Sequence, residues 1–297
     1  MKINNIHDKF FKLSLGDLNV AKKFLKFFLS EEILDKIVLD SLQYSKMNFI
    51  SDDLKEIFSD LIYSCKLKNG RKAFVSILLE HKSHPDKNTS VQILHYLASG
   101  YYNQIKQNGK INLIISMVFY HGKEKWVLKS LNELMKDTPE ELEKFIPTFE
   151  IQFIDLKIFS DEELELLGNA MLYSFLILQK YSDQPSEIEN KIKLIFNKLD
   201  SVRNRNYLRI IVVYMLNTIK KEIIMDLIDQ TSQLVQDEFE SAYETFRKEG
   251  YKEGIEEGIE KEKIEVIRRG WDNGYDIKDL SILTGISEKK VREIIGK

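Results

Sequence analysis

An Asn69-Gly70 pair set between two strand-like runs constrains this chain more than any other feature. Asn-Gly accepts the positive φ angles of a tight hairpin turn, whose twist matches that of paired strands. Asp60 to Leu67 (DLIYSCKL) precedes the pair, and Lys72 to Glu80 (KAFVSILLE) follows it. The two runs therefore predict an antiparallel hairpin. Pro85 ends this segment. Residues 88–106 predict a helix with Val91, Leu94, Leu97, Ala98, Tyr101 and Tyr102 on its apolar side. Ile111 to Tyr120 (INLIISMVFY) predicts a buried strand that closes at His121-Gly122. Upstream, residues 8–30 carry Phe10, Phe11, Leu13, Leu18, Ala21, Phe24, Leu25 and Phe28 near helical period and predict one helix. Helix, hairpin, helix and strand in this order imply an α/β (α+β) fold, a mixed sheet with helices packed against it.

The character changes near residue 157. Segments 161–180, 187–199, 207–220 and 223–246 all carry helical periodicity with weak breaks between them. The expected organisation is a sheet-bearing domain over 1–157, a helical domain over 158–248, and a tail over 249–297. In the tail, Gly250, Gly254 and Gly258 recur every four residues. Glycine weakens a helix by about 1 kcal/mol each relative to alanine. The repeat reads as a flexible linker or as a face for close helix approach. Residues 276–295 (DIKDLSILTGISEKKVREII) predict two short helices around Gly285, with Ser287 as an N-cap. This is helix-turn-helix spacing, and Lys289, Lys290 and Arg292 fall on the second helix. Any two-helix hairpin with a glycine turn has the same outline.

Composition narrows the function. The chain has 297 residues, 43% of them hydrophobic, enough to bury a core. Its single cysteine, Cys65, cannot form an internal disulfide and reads as a small strand hydrophobe. No apolar run reaches the ~18 residues of a membrane span or forms a signal segment, so a soluble cytoplasmic protein is expected. The net charge of -3 hides an uneven split. Residues 1–130 hold 20 Lys and Arg against 13 Asp and Glu, whereas the remainder holds 24 against 34. A basic first half suits a phosphate backbone as partner. It is equally the ordinary coat of a lysine-rich domain.

The chemistry concentrates at Asp60 and at Glu80-His81-Lys82. On a strand, residues 80 and 82 share a face and His81 points away. The hairpin brings Asp60 beside the strand that ends in Glu80. Two carboxylates and an ammonium at the end of an apolar strand are costly to bury unless they pair or hold a metal. Two hard oxygen ligands suit Mg²⁺, with Mn²⁺ or Ca²⁺ as alternatives. The carbonyl of His81 offers a further ligand, and Lys82 is placed to orient or deprotonate an attacking water. These are the parts of phosphodiester hydrolysis. Read without other context, a cross-strand ion pair accounts for the same residues.

Five segments in order carry a resemblance. They are HDKFFK from His7, FSDL from Phe58, LLEHKS from Leu78, LHY from Leu94, and FYHGKEKW from Phe119. Together they resemble the Rpn family of recombination-promoting nucleases, also described as transposase-like, over about residues 5–260. The resemblance implies a restriction-endonuclease-like PD-(D/E)XK core, divalent-metal dependence, DNA cleavage, and links to recombination and mobile elements, while the all-helical C-terminal region is read from the periodicity of the residues themselves. It matches Asp60 and Glu80 to the family's acidic positions. Many members carry glutamine where Lys82 stands, and the lysine belongs to the wider nuclease superfamily. Members often carry arginine at the position of Gln92.

The resulting expectation is a metal-dependent DNA endonuclease with Asp60, Glu80 and Lys82 catalytic and with Asp60, Glu80 and His81 at the metal. Gln92, Tyr96 and His121 are candidate DNA contacts. Each also has a plainer reading, as the polar edge of a helix or a packed side chain at a strand end. Asp8 is either an extra acidic group near the metal or a helix N-terminal aspartate favoured by the dipole. DNA and a second copy of the chain are the expected partners. The rival functions are a non-catalytic DNA-binding regulator and a phage-defence nuclease restrained by its C-terminal region.

Overall fold

The fold was obtained as a computed structural model, which describes residues 6–45, 60–80, 85–109, 111–202, 204–219, 221–229 and 231–296. Two compact units divide the chain, residues 2–239 and residues 240–297.

The first unit is built on a five-stranded mixed sheet with strands in sequence order: β1 (Ile37–Tyr44), β2 (Asp60–Leu67), β3 (Lys72–Glu80), β4 (Leu113–Tyr120) and β5 (Ile151–Asp155). β1, β2 and β3 pair antiparallel, and β3, β4 and β5 run parallel. The hairpin occurs with the boundaries that Asn69-Gly70 predicts, since Lys66 pairs with Lys72 across the turn. A parallel pair needs a long crossover. Here the crossover from β3 to β4 contains α3 (Thr89–Asn108), numbered after α1 (Ile6–Leu15) and α2 (Leu18–Phe28).

The single helix expected over 8–30 is two helices. Asp17 accepts hydrogen bonds from the backbone N–H groups of Asn19 and Val20, which caps α2 and restarts the helix after Gly16. Periodicity continues through such a cap because both helices turn their phenylalanines to the same core. Phe11 and Phe24 lie 5.6 and 5.7 Å from the Phe119 ring of β4. Phe175 of α4 (Ala170–Lys180) completes this layer at 6.1 Å. Burying each such ring contributes about 1.5–3 kcal/mol.

The other face of the sheet is covered by α3, through a stripe that matches the predicted one only in part, at Leu97 and Tyr101. Ile93, Tyr96 and Leu97 face Ile62, Phe74, Ile114, Val118 and Tyr120, while Val91, Ala98 and Tyr102 are exposed. The predicted stripe is rotated because Ile93 and Tyr96 outweigh Val91 and Tyr102 in apolar burial.

Beyond α4, the helices α5 (Pro185–Val202), α6 (Arg205–Thr218) and α7 (Lys221–Ile228) stay within the first unit. The unit continues through residue 157 because these helices pack on the N-terminal ones. Phe10 stacks on Tyr214 at 3.9 Å, and the Tyr207 hydroxyl donates to Asp17 at 2.7 Å. The glycine repeat is helical, within the 40-residue α8 (Gln233–Asp272). It is followed by α9 (Ile277–Thr284) and α10 (Glu288–Ile295), the two short helices expected around Gly285.

Candidate active site

The parallel strands β3, β4 and β5 end side by side. Glu80 pairs with Tyr120, and Tyr120 pairs with Asp155. On the other side of β3, Asp60 at the start of β2 pairs with Leu78, two residues before Glu80. The backbone therefore brings positions 60 and 80 to one end of the sheet as diagonal neighbours. In an open sheet this end, beyond the carboxyl termini of parallel strands, is where ligands bind. For Asp60 and Glu80 the structure describes the strand position alone. His81 and Lys82 lie outside the described residues.

The rest of the row is described in full. Burial pushes the Tyr120 hydroxyl above its usual range, helped by the charges of Asp155 and Glu124. That hydroxyl donates to the Glu124 carbonyl at 2.7 Å, which folds the 121–124 turn back over its own strand. The turn leaves no room at Gly122, where a Cβ would collide with the Tyr120 ring. Burial also raises the Asp155 carboxyl, while the backbone N–H and the charge of Lys157 pull it down. Asp155 accepts that N–H at 3.0 Å.

Asp155 opens onto a cavity of about 1060 Å³ bordered by Trp126, Phe149, Phe153, Lys125 and Asp183. Sequence reasoning missed this aspartate. Its signal was the one that marks Glu80, an acidic residue ending an apolar run (IQFID), but the run is only five residues long.

Tyr96 is 0% exposed and His121 2% exposed, so neither offers an atom to DNA in this conformation. Tyr96 is drawn inward by the core beneath α3. His121 is held on the opposite face of the sheet, its Nδ1 3.4 Å from the Ser182 hydroxyl and its ring 5.7 Å from His7. His7 in turn lies 2.9 Å from the Tyr214 hydroxyl. Gln92 is half-buried. Its amide donates to Asp86 at 3.3 Å, and its carbonyl oxygen is buried without a hydrogen bond among the described residues. Asp8 sits in the first turn of α1 and pairs with Lys12 at 3.3 Å. Among the described residues, no group of three or more His, Cys, Asp or Glu is placed to hold a metal ion. No described helix is long and apolar enough to cross a membrane.

Residues 5–209 match the family described as "Putative transposase, YhgA-like". The chain is 24% identical over 290 residues to "Recombination-promoting nuclease RpnA" of Escherichia coli strain K12, covering 96% of this chain and 95% of that protein. It is 22% identical over 289 residues to "Inactive recombination-promoting nuclease-like protein RpnE" of the same strain, with 96% of each covered. A third relative, "Recombination-promoting nuclease RpnD" of Escherichia coli O157:H7, is 23% identical over 236 residues, 77% of this chain and 88% of its own. No solved structure matches.

Proposed function

Because the chain belongs to the YhgA-like transposase family, whose relatives include named recombination-promoting nucleases, we propose that it is a divalent-metal-dependent DNA endonuclease of the PD-(D/E)XK type. The observation that carries this reading is the strand register, which pairs Asp60 with Leu78 two residues short of Glu80. Diagonal neighbours across a strand pair lie about 7–8 Å apart, a span that two carboxylates bridge through one ion with bonds of about 2.1 Å. The donor set fits Mg²⁺, since it consists of hard oxygens and the one cysteine, Cys65, lies buried in mid-strand.

Asp60, Glu80 and the His81 carbonyl would hold the ion. When bound, it would lower the pKa of a coordinated water and offset charge on the scissile phosphate. Lys82 orients the attacking water and takes its proton or balances the developing charge. Asp155, two strands from Glu80, is a further acidic group in the same row. Its partial shift toward the neutral form suits a proton donor to the leaving oxygen.

The test is incubation of the purified chain with supercoiled plasmid. Nicked or linear product with Mg²⁺, and none with a chelator, supports the reading. Intact plasmid under both conditions overturns it. The relative named inactive motivates a second reading, a DNA-binding protein without cleavage, which predicts retained plasmid and no cut.

A further inference from the structure

Residues 240–297 fold as a unit of their own. Its small core comprises Ile267 of α8, Leu280 of α9 and Val291 of α10, each nearly inaccessible. Trp271, Ile277, Ile286, Ile294 and Ile295 pack around them. Three helices therefore share one centre, and the last two meet through a turn of three residues, Gly285 to Ser287.

That turn is specified atom by atom. Gly285 closes α9 at φ +69°, a left-handed conformation that a side chain would strain, and donates its N–H to the Ser281 carbonyl. The Ser281 hydroxyl donates to the Ile286 carbonyl at 2.7 Å, tying the exit of the turn to α9. Ile286 packs into the core, and Ser287 caps α10 by accepting the Lys290 N–H. Buried Leu280 and Thr284 on the first helix, a left-handed glycine, an inward residue after it, and buried Val291 on the second helix make up a helix-turn-helix.

Such a motif lays its second helix in the major groove of duplex DNA, with residues from the helix's N-terminal part reaching base edges and phosphates. On α10 those residues are exposed, and Lys289, Lys290 and Arg292 outnumber Glu288 and Glu293 there, which leaves its outer face net positive. Only Val291 of that first stretch points inward. We infer that α10 is a recognition helix, so that the tail is a duplex-DNA-binding module separate from the sheet edge. This does not rest on the nuclease reading, because it concerns binding alone.

The experiment measures anisotropy of a labelled random-sequence duplex with the full-length chain, in chelator so that cleavage is suppressed, across a salt series. Lys289→Glu combined with Arg292→Glu changes two exposed side chains and leaves the core intact, which circular dichroism verifies. The expected result is an affinity loss of about 10-fold or more and a salt slope smaller by about 2, one for each lost phosphate contact. Lys289→Arg should bind like the parent. Unchanged affinity and slope in the doubly substituted chain would overturn the inference, as would a parent chain that fails to bind duplex at low salt. A change in oligomeric state by light scattering with an unchanged DNA curve would assign the face to protein contact and also overturn it. Plasmid cleavage with Mg²⁺ is scored separately. Its absence beside intact tail-dependent binding counts against the nuclease reading and leaves this one standing.

Discussion

The two units of this chain present their charges in opposite ways. In residues 2–239 the charged positions of interest terminate strands, and the sheet register fixes them relative to one another. Tyr120 and Asp155 cannot shift without disturbing the Phe11, Phe24, Phe119 and Phe175 layer behind the same strands. In residues 240–297 the cations stand on the outside of a single short helix over an aliphatic core. The first arrangement fixes the backbone spacing of positions 60, 80, 120 and 155 through the strand register. The second yields a surface that can be rewritten without loss of fold.

The largest effects should come from the strand ends. Glu80→Ala and Asp60→Ala should abolish plasmid cleavage, because each removes a proposed metal ligand. Lys82→Ala should retain metal and lose about 10²–10⁴-fold in rate, the usual contribution of a positioned proton-transfer group. Cleavage at the parent rate by Glu80→Ala would break the comparison at its root.

The cores should differ next. Phe119→Ala removes a fully buried ring and should cost about 3–5 kcal/mol in denaturant unfolding. Val291→Ala should melt the tail selectively, seen as amide exchange confined to 262–296 with the sheet still protected. A single transition lost in both variants would show that the two cores are not independent.

Asp161 sharpens the account of the first unit. Burial pushes its carboxyl up, but hydrogen bonds from Lys180 (2.7 Å), Lys191 (2.6 Å) and Tyr181 (2.9 Å) win and hold it below the usual range. A carboxylate with a lowered folded pKa stabilises above its unfolded pKa, and that stability is lost as pH falls through the folded value. Asp161→Asn should cost about 1–3 kcal/mol at neutral pH. The difference from the parent should shrink on acidification below about pH 4. A pH-independent difference in denaturation midpoints would contradict this.

The smallest effect has the opposite sign. Asp155 is raised by burial, so its ionised form is a liability above its folded pKa. Asp155→Asn keeps an oxygen for the Lys157 N–H and should raise the denaturation midpoint slightly at neutral pH. The gain should vanish as pH falls toward the unfolded carboxylate range. A lowered midpoint at neutral pH would mean that the charge is stabilising.

What could be read from the sequence follows the same division between local and long-range causes. The β2–β3 hairpin was legible because Asn69-Gly70 dictates its turn, and the tail was legible because Gly285 and Ser287 mark both helix ends. β1 was missed. Its burial pattern does not alternate cleanly, and a register shift interrupts its pairing between Val38 and Gln43. β5 was missed because five residues carry too little period, and with it went Asp155. The face of α3 is legible only in part, at Leu97 and Tyr101, because periodicity admits a rotation that only the facing strand settles. The change of composition near residue 157 is real, but α1 packs against α4 and α6, so the first unit runs on to residue 239.

The central claim is that Asp60 and Glu80 together hold a divalent ion, and a calorimetric titration of Mn²⁺ into the parent chain, Asp60→Ala and Glu80→Ala tests it most directly. The account predicts one saturable site in the parent that is lost in both variants, whose circular dichroism is unchanged. A parent-like binding curve in either variant would contradict it.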